Sequence, residues 1–242
     1  MQYRSRKKLE KLNTSLEERN AVLQQFAYIT SHDLKEPIRN ITSFSGLLNR
    51  EIHTLENLNA GKDYLEYITS NAKVLNEIVG SLEIFTKVSF GDLEREAVSI
   101  KEVIDTVRDN LQQIIEEKNG TLAYTNPNQV KKVLFSRPML ILVLQNLIQN
   151  GFKYNHQQHP KVKVTVKPQG AKTLFMVADN GMGIEKAYFD RIFSPFKTLE
   201  NKSVTQSSGL GLSICKNIVD RYGGQIWVTS DGKTGSTFSF VV

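Results

Sequence analysis

The chain has 242 residues, 40% hydrophobic and 23% charged, an ordinary globular composition with room for one large domain or a medium domain plus a smaller element. Its 31 Lys and Arg against 25 Asp and Glu give a formal charge of +6. Those charges are spread along the chain, which argues for solvated helix faces and an acidic or nucleotide partner, and against nucleic acid. One cysteine, Cys215, excludes an intrachain disulfide and suits a reducing compartment. The longest apolar stretch, Met139 to Ile148, is too short for a bilayer span, and the opening Arg4, Arg6, Lys7 and Lys8 do not read as a secretory signal. A cytoplasmic chain without a membrane segment is expected.

From Leu9, apolar or small residues recur at alternating three and four spacing through Leu12, Leu16, Leu23 and Phe26, with Arg19 at one seam position. The seam continues through Thr30, Leu34, Pro37, Ile41, Phe44 and Leu48, and the two steps of four from Phe26 to Leu34 form a stutter. A break is expected at His53 to Gly61. The next run, Leu65, Ile68, Ala72, Leu75, Val79 and Leu82, keeps heptad spacing. This pattern predicts a coiled-coil entry over 1–25 and two long helices joined as a hairpin over 26–92. A lone hairpin leaves its seams uncovered, so two copies pairing into a dimeric four-helix bundle is the economical arrangement.

Beyond Gly91 the periodicity changes. A helix is predicted from Ile100 to Glu117, with extended stretches at Thr121–Tyr124 and Val130–Phe135. A further helix opens at Ser136, an N-cap residue type, with Pro138 in its first turn. Val162, Val164 and Val166 alternate with Lys or Thr, the pattern of a half-exposed strand. Strands at Thr173–Ala178, Gln225–Ser230 and Ser236–Val242 and a helix at Leu212–Tyr222 complete an α/β sandwich over 97–242.

On the helix after Ser136, the spacing of Asn146, Asn150 and Lys153 puts them on one face, with Tyr154 at its edge. Leu140, Val143, Leu144, Leu147 and Ile148 occupy the other face. An amide oxygen is a hard neutral ligand suited to Mg²⁺, an ammonium meets phosphate charge, and an aromatic ring can cover a base. Asp179-Asn180-Gly181-Met182-Gly183-Ile184 follows an apolar strand, where a carboxylate can accept from an exocyclic amine and glycines allow close backbone approach. Ser208-Gly209-Leu210-Gly211-Leu212 opens a helix, whose free amides favour phosphate. Gly232-Lys233-Thr234 is not the tail of a Walker loop, because Trp227 stands where the first glycine belongs.

In this order the residues resemble the sensor histidine kinases of two-component systems and their ATP-binding domain of the GHKL (Bergerat) superfamily. Asn146 to Tyr154 is similar to the family's N box, Asp179 to Ile184 to its first glycine box, and Phe193 to Phe196 to its F box. Gly209 to Leu212 is similar to the second glycine box, and Gly235-Ser236-Thr237 to the last G-x-T element. The resemblance implies ATP and Mg²⁺ as cofactors, with Asn150 a Mg²⁺ ligand and Asn146 and Lys153 near the phosphates. It places Tyr154, Asp179 and Thr237 at the adenine, and makes Lys197–Ser208 a mobile lid. Ser31-His32-Asp33-Leu34-Lys35-Glu36-Pro37 resembles the H box of the HisKA-type phosphotransfer domain. His32 is then the phosphate acceptor and catalytic nucleophile, with Asp33 orienting its ring. His53, His156 and His159 read as surface residues.

Two positions depart from the family. Glu36 stands four residues after the histidine, where Thr or Asn is common and positions a water for receiver dephosphorylation. Thr198 stands where relatives often carry an Arg near the terminal phosphate, with Lys197 or Lys202 as nearby cations. The function implied is autophosphorylation of His32 by ATP, then phosphotransfer to an aspartate of a response-regulator receiver domain. The chain would act as a homodimer under an upstream sensory module. One alternative is a nucleotide-binding dimeric scaffold without kinase activity. Another is a chaperone- or topoisomerase-type GHKL ATPase, but no general-base Glu accompanies Gln145, Asn146, Gln149 and Asn150.

Overall fold

The computed structural model describes residues 34–50, 58–90, 94–194 and 209–242. Packing divides the chain into two compact units, Met1–Gly80 and Ser81–Val242. The expected coiled coil over 1–25, the acceptor His32 with Asp33, Phe196, Thr198 and the lid over 197–208 lie outside the described residues.

In the first unit a helix over 34–50, α1, is followed by α2, Leu58–Phe90, which runs on past the unit boundary. The seam residues of α1 are sheltered, Pro37 buried and Leu34, Ile41, Phe44 and Leu48 half-buried, with Glu36 and Asn40 half-buried beside them. Phe44 stacks on Tyr67 at 4.7 Å between centroids, and Asn40 Nδ2 donates to Asn71 Oδ1 at 3.1 Å. The break expected to reach Gly61 ends earlier, because the helix already runs from Leu58. A glycine inside a helix costs only about 1 kcal/mol, and here it brings the backbone close to Leu48 Cδ1. Ile38, Leu47, Leu65 and Val79 remain 49%, 39%, 52% and 44% exposed within one copy.

The second unit opens with β1 (Glu96–Ser99), α3 (Ile100–Asn110), α4 (Gln112–Glu117), β2 (Thr121–Thr125) and β3 (Lys132–Phe135). There follow α5 (Arg137–Lys153), β4 (Lys161–Gln169), β5 (Lys172–Asp179), α6 (Gly211–Arg221), β6 (Gln225–Ser230) and β7 (Ser236–Val241). The single helix expected over Ile100–Glu117 is two. Leu111, buried in the core, shares its N–H between the carbonyls of Val107 and Arg108, and its ψ of 6° breaks the line between α3 and α4.

Strands β1 and β3 form an antiparallel pair, and the main sheet runs β2-β4-β5-β7-β6, parallel only between β2 and β4. Alternation along the strands sets the faces. Val162, Val164, Val166, Phe175, Val177, Ile226, Val228, Phe238 and Phe240 are buried, and the Phe175 and Phe240 rings stack at 4.8 Å. Helix α5 packs on β4 and β5 and between α3 and α6, while α6 covers β6. The result is one helical layer on one sheet, the α/β sandwich expected. Among the described residues no helix is long and apolar enough to cross a membrane.

Candidate nucleotide site

The site grows from the two faces of α5. Ser136 precedes it in extended conformation and Pro138 fits its first turn, although the Ser136 side chain makes no capping hydrogen bond. Leu140, Val143, Leu144, Leu147, Ile148 and Phe152 are all wholly buried. That commitment leaves Asn146, Asn150 and Lys153 as a half-buried polar stripe on the remaining side. Asn146 Nδ2 donates back to Leu142 O at 2.9 Å, which turns its Oδ1 outward, against Gly211 at the start of α6. A Cβ on Gly211 would stand 2.5 Å from that oxygen, so the stripe and the second glycine motif meet directly. Cys215 Sγ, buried on the inner side of α6, reaches across to Val143 O of α5 at 3.8 Å.

Leu210 is buried and Leu212 half-buried, and Ser213 Oγ donates to Leu210 O at 2.8 Å to close the first turn of α6. Gly209 before it has φ +65°. The free amides of this 11-residue helix therefore open beside the stripe, where the helix dipole favours an anion.

Asp179 ends β5 beside the Ala178–Thr237 pair, so Asp179 and Thr237 lie together at the same end of the sheet. Its Oδ1 accepts from Gly181 N at 2.8 Å and Ser236 N at 3.2 Å. Burial pushes this carboxyl up from its ordinary value of 3.8, and the two N–H groups oppose that shift. With Oδ1 engaged twice, Oδ2 is the atom left for a ligand. Tyr154 caps α5 and its carbonyl accepts from Met182 N at 3.3 Å, which draws the glycine loop back to the helix end. Gly183, at φ +76°, lies so close to the β6–β7 turn that a Cβ would meet Lys233 N at 2.5 Å. Phe193 packs edge-on to Phe238, 6.4 Å between centroids at 84°, beside the buried Ile192.

Four residues with no role assigned from sequence help to build this site. Gly151 lets α5 settle on the sheet, since a Cβ there would stand 2.8 Å from Val162 Cγ2 and 3.2 Å from Asp179 Cβ. Asn155, 3% exposed, donates to Asn180 Oδ1 at 2.8 Å, and the same oxygen accepts from Lys161 N at 2.6 Å. Ser230 Oγ accepts from Ile184 N at 3.0 Å, joining the glycine loop to β6. Gly151 and Asn180 lie inside the quoted motifs and Asn155 borders one, which is a signal of a kind; Ser230 carries none. The Walker-like Gly232-Lys233-Thr234 is a turn. Asp231 caps it by accepting from Lys233 N and Thr234 N, each at 2.8 Å, and from the Thr234 hydroxyl, which holds its carboxyl down at about 2.

The donor set suits a Mg²⁺-bound nucleotide. Asn150 presents a carboxamide on the half-buried stripe of α5. Its neutral oxygen shares a stripe with an ammonium beside a helix N-terminus. An acceptor carboxylate whose Oδ2 takes no hydrogen bond from the described residues stands at the sheet end.

Residues 136–242 match the family model described as "Histidine kinase-, DNA gyrase B-, and HSP90-like ATPase". The phytochrome-like protein Cph1 of Synechocystis is 33% identical over 240 residues, 99% of this chain but 31% of Cph1, so the chain spans about a third of that relative. Of solved structures, the catalytic domain of histidine kinase ThkA is 30% identical with a TM-score of 0.55, covering 62% of this chain and 95% of that domain. The structure of ThkA in complex with its response regulator TrrA covers 93% of this chain and 63% of that one at a TM-score of 0.73. Its 24% identity speaks for the fold.

Proposed function

The chain belongs to the sensor histidine kinases and carries their GHKL-type ATPase domain, and from that premise we propose that it binds Mg²⁺-ATP in its second unit and transfers the γ-phosphoryl group to His32. The observation that carries this reading is the meeting of three separate motifs in one site. The α5 stripe touches Gly211, α6 presents its amides beside it, and Asp179 keeps one oxygen unused. Asp179 Oδ2 accepts from the exocyclic amine of adenine, with Tyr154 and Thr237 bordering the base. Lys153 and Asn146 face the phosphates, with the α6 N-terminus behind them. Asn150 holds Mg²⁺, which supplies charge neutralisation along the phosphates.

His32 attacks the γ-phosphorus in line; the nitrogen–phosphorus bond forms as the bridging oxygen–phosphorus bond breaks, and ADP leaves. Asp33 accepts from the other ring nitrogen and keeps the attacking one unprotonated. Phospho-His32 then passes its phosphoryl group to an aspartate of a response-regulator receiver domain. That ThkA was solved in complex with a response regulator supports such a partner here. The apolar Ile38, Leu47, Leu65 and Val79, uncovered in one copy, support pairing of two hairpins into a four-helix bundle. The coiled coil over 1–25 would carry the signal from an upstream sensory module of a cytoplasmic or membrane-anchored protein, and 26–92 and 97–242 would be the phosphotransfer and ATP-binding domains.

The test is incubation with γ-labelled ATP. Label that is stable in base, labile in acid and missing from His32→Gln is the expected result. Label that persists in His32→Gln at the wild-type rate overturns the choice of acceptor.

A further inference from the structure

A single hydroxyl ties together the backbone segments that flank Asp179. Ser230 Oγ accepts from Ile184 N at 3.0 Å and Gly232 N at 3.1 Å, and donates to Gly235 O at 2.6 Å. One donor and two lone pairs are all that a hydroxyl has, so its capacity is filled. Its partners lie on both sides of the carboxylate: Ile184 ends the glycine loop, and Gly232 and Gly235 belong to the β6–β7 turn.

The bond to Gly235 O matters most. The carbonyl of Gly235 and the N–H of Ser236 belong to one planar peptide group and point in opposite directions. Fixing the carbonyl on Ser230 therefore fixes the N–H that Ser236 donates to Asp179 Oδ1 at 3.2 Å. Gly235, at φ +107°, packs so closely on Asp179 that an added Cβ would stand 2.1 Å from its carbonyl oxygen. Through Ile184 the same hydroxyl anchors the loop whose Gly181 N supplies the second bond to Oδ1. Serine at 230 thus stands behind both donors that orient the carboxylate.

We propose that Ser230 is a positioning residue for base selection: by fixing the Gly235–Ser236 peptide and the end of the glycine loop, it holds the Asp179 carboxylate in the orientation that prefers adenine to guanine nucleotides. This rests on Asp179 being the base-reading group. Adenine offers an amine where guanine offers a carbonyl oxygen, so a carboxylate held in place accepts from the first and repels the second. One free to rotate discriminates less.

Calorimetry on the full chain with Mg²⁺-ADP, Mg²⁺-GDP and inorganic triphosphate tests this. Ser230→Ala should lower the ADP-over-GDP preference about fivefold to tenfold, with triphosphate affinity unchanged and Ser230→Thr restoring the preference. In an Asp179→Ala background, Ser230→Ala should change the preference no further. If Ser230→Ala does not fold, Ser230→Cys keeps the volume with only a weak thiol bond and is read in the same way. Equal weakening of ADP, GDP and triphosphate would mean general loosening and overturn the proposal. Loss of preference in Asp179→Ala but not in Ser230→Ala removes Ser230 alone, whereas full preference in Asp179→Ala removes the base-reading role and this proposal with it.

Discussion

Gly211→Ala separates binding from stability. An added methyl would lie 2.5 Å from Asn146 Oδ1, and among the described residues the atoms it would meet belong to that side chain. The carboxamide must therefore swing away and release Leu142 O, which Nδ2 now holds at 2.9 Å. A lost bond of this kind costs about 1 kcal/mol. Against it, alanine in a helix is favoured over glycine by up to about 1 kcal/mol. The two terms offset, so the melting temperature of the nucleotide-free protein should move by no more than about 4 °C. Nothing offsets the effect on binding. On the proposed placement, a displaced Asn146 would no longer meet the phosphates, and the methyl would crowd the amides of α6. A lost hydrogen bond to a charged group is worth about 1.5–3 kcal/mol, so Mg²⁺-ADP should bind roughly ten- to a hundredfold more weakly. Thermal melting paired with calorimetric titration reads both. Wild-type affinity would refute the placement of Asn146, and a fall in melting temperature above about 10 °C would refute the offset.

Burial raises the Asp179 carboxyl above its ordinary 3.8, so the native state binds a proton that the unfolded chain has already lost. Stability therefore falls as pH rises from 3.8 through the raised value, and Asp179→Asn should flatten that part of the pH–stability curve while weakening ADP; an unchanged curve argues against it. Above the raised value the carboxylate is the acceptor, so affinity for ADP should decline on acidification before an ordinary carboxylate would protonate, as calorimetry across pH would show. Leu65→Glu with Val79→Glu should convert dimer to monomer in sedimentation without loss of helix by circular dichroism, because both side chains are exposed within one copy; an unaltered dimer mass places the interface elsewhere. The core should be a poor phosphatase of its receiver, since Glu36 lacks the hydroxyl or amide donor that a Thr or Asn would offer an attacking water. Glu36→Thr should then release phosphate from purified phospho-receiver faster than wild type, and the reverse order would refute this.

What the sequence made legible followed from periodicity and from glycine placed after strands. Lys161–Lys167 alternates because one side of β4 meets the core, and Asn146, Asn150 and Lys153 share a face because the other face of α5 is wholly buried. Asp179 and the glycines that follow it were readable as a strand end turning close to a ligand. The break at Leu111 was not, because the apolar spacing runs through it and only the sharing of one N–H marks it. Ser230 was not either. Its partner Ile184 is 46 residues away, and a hydroxyl at a strand end looks like any other until the fold brings the loop to it. Gly151 sat inside a quoted motif, yet its role depends on Val162 and Asp179, on strands that come later in the chain.

The two ends of the site are held by different physics, and this decides which substitutions act locally. At the base end, Asp179 is fixed by strand pairing and by N–H groups from two loops that cannot shift independently, since Ser230 joins them. Desolvating its carboxylate is unfavourable, and those N–H groups offset the cost, so disturbing either loop moves stability and base preference together. At the phosphate end, the stripe on α5 is the residue of a helix whose other positions are committed to the core. Asn150 and Lys153 are half-buried and stand outside the fully buried set of Leu147, Ile148 and Phe152, so replacing them should disturb that packing little. On the proposed reading, substitutions at the Asp179 end therefore move stability and base preference together, whereas those on the α5 stripe should act mainly on phosphate binding.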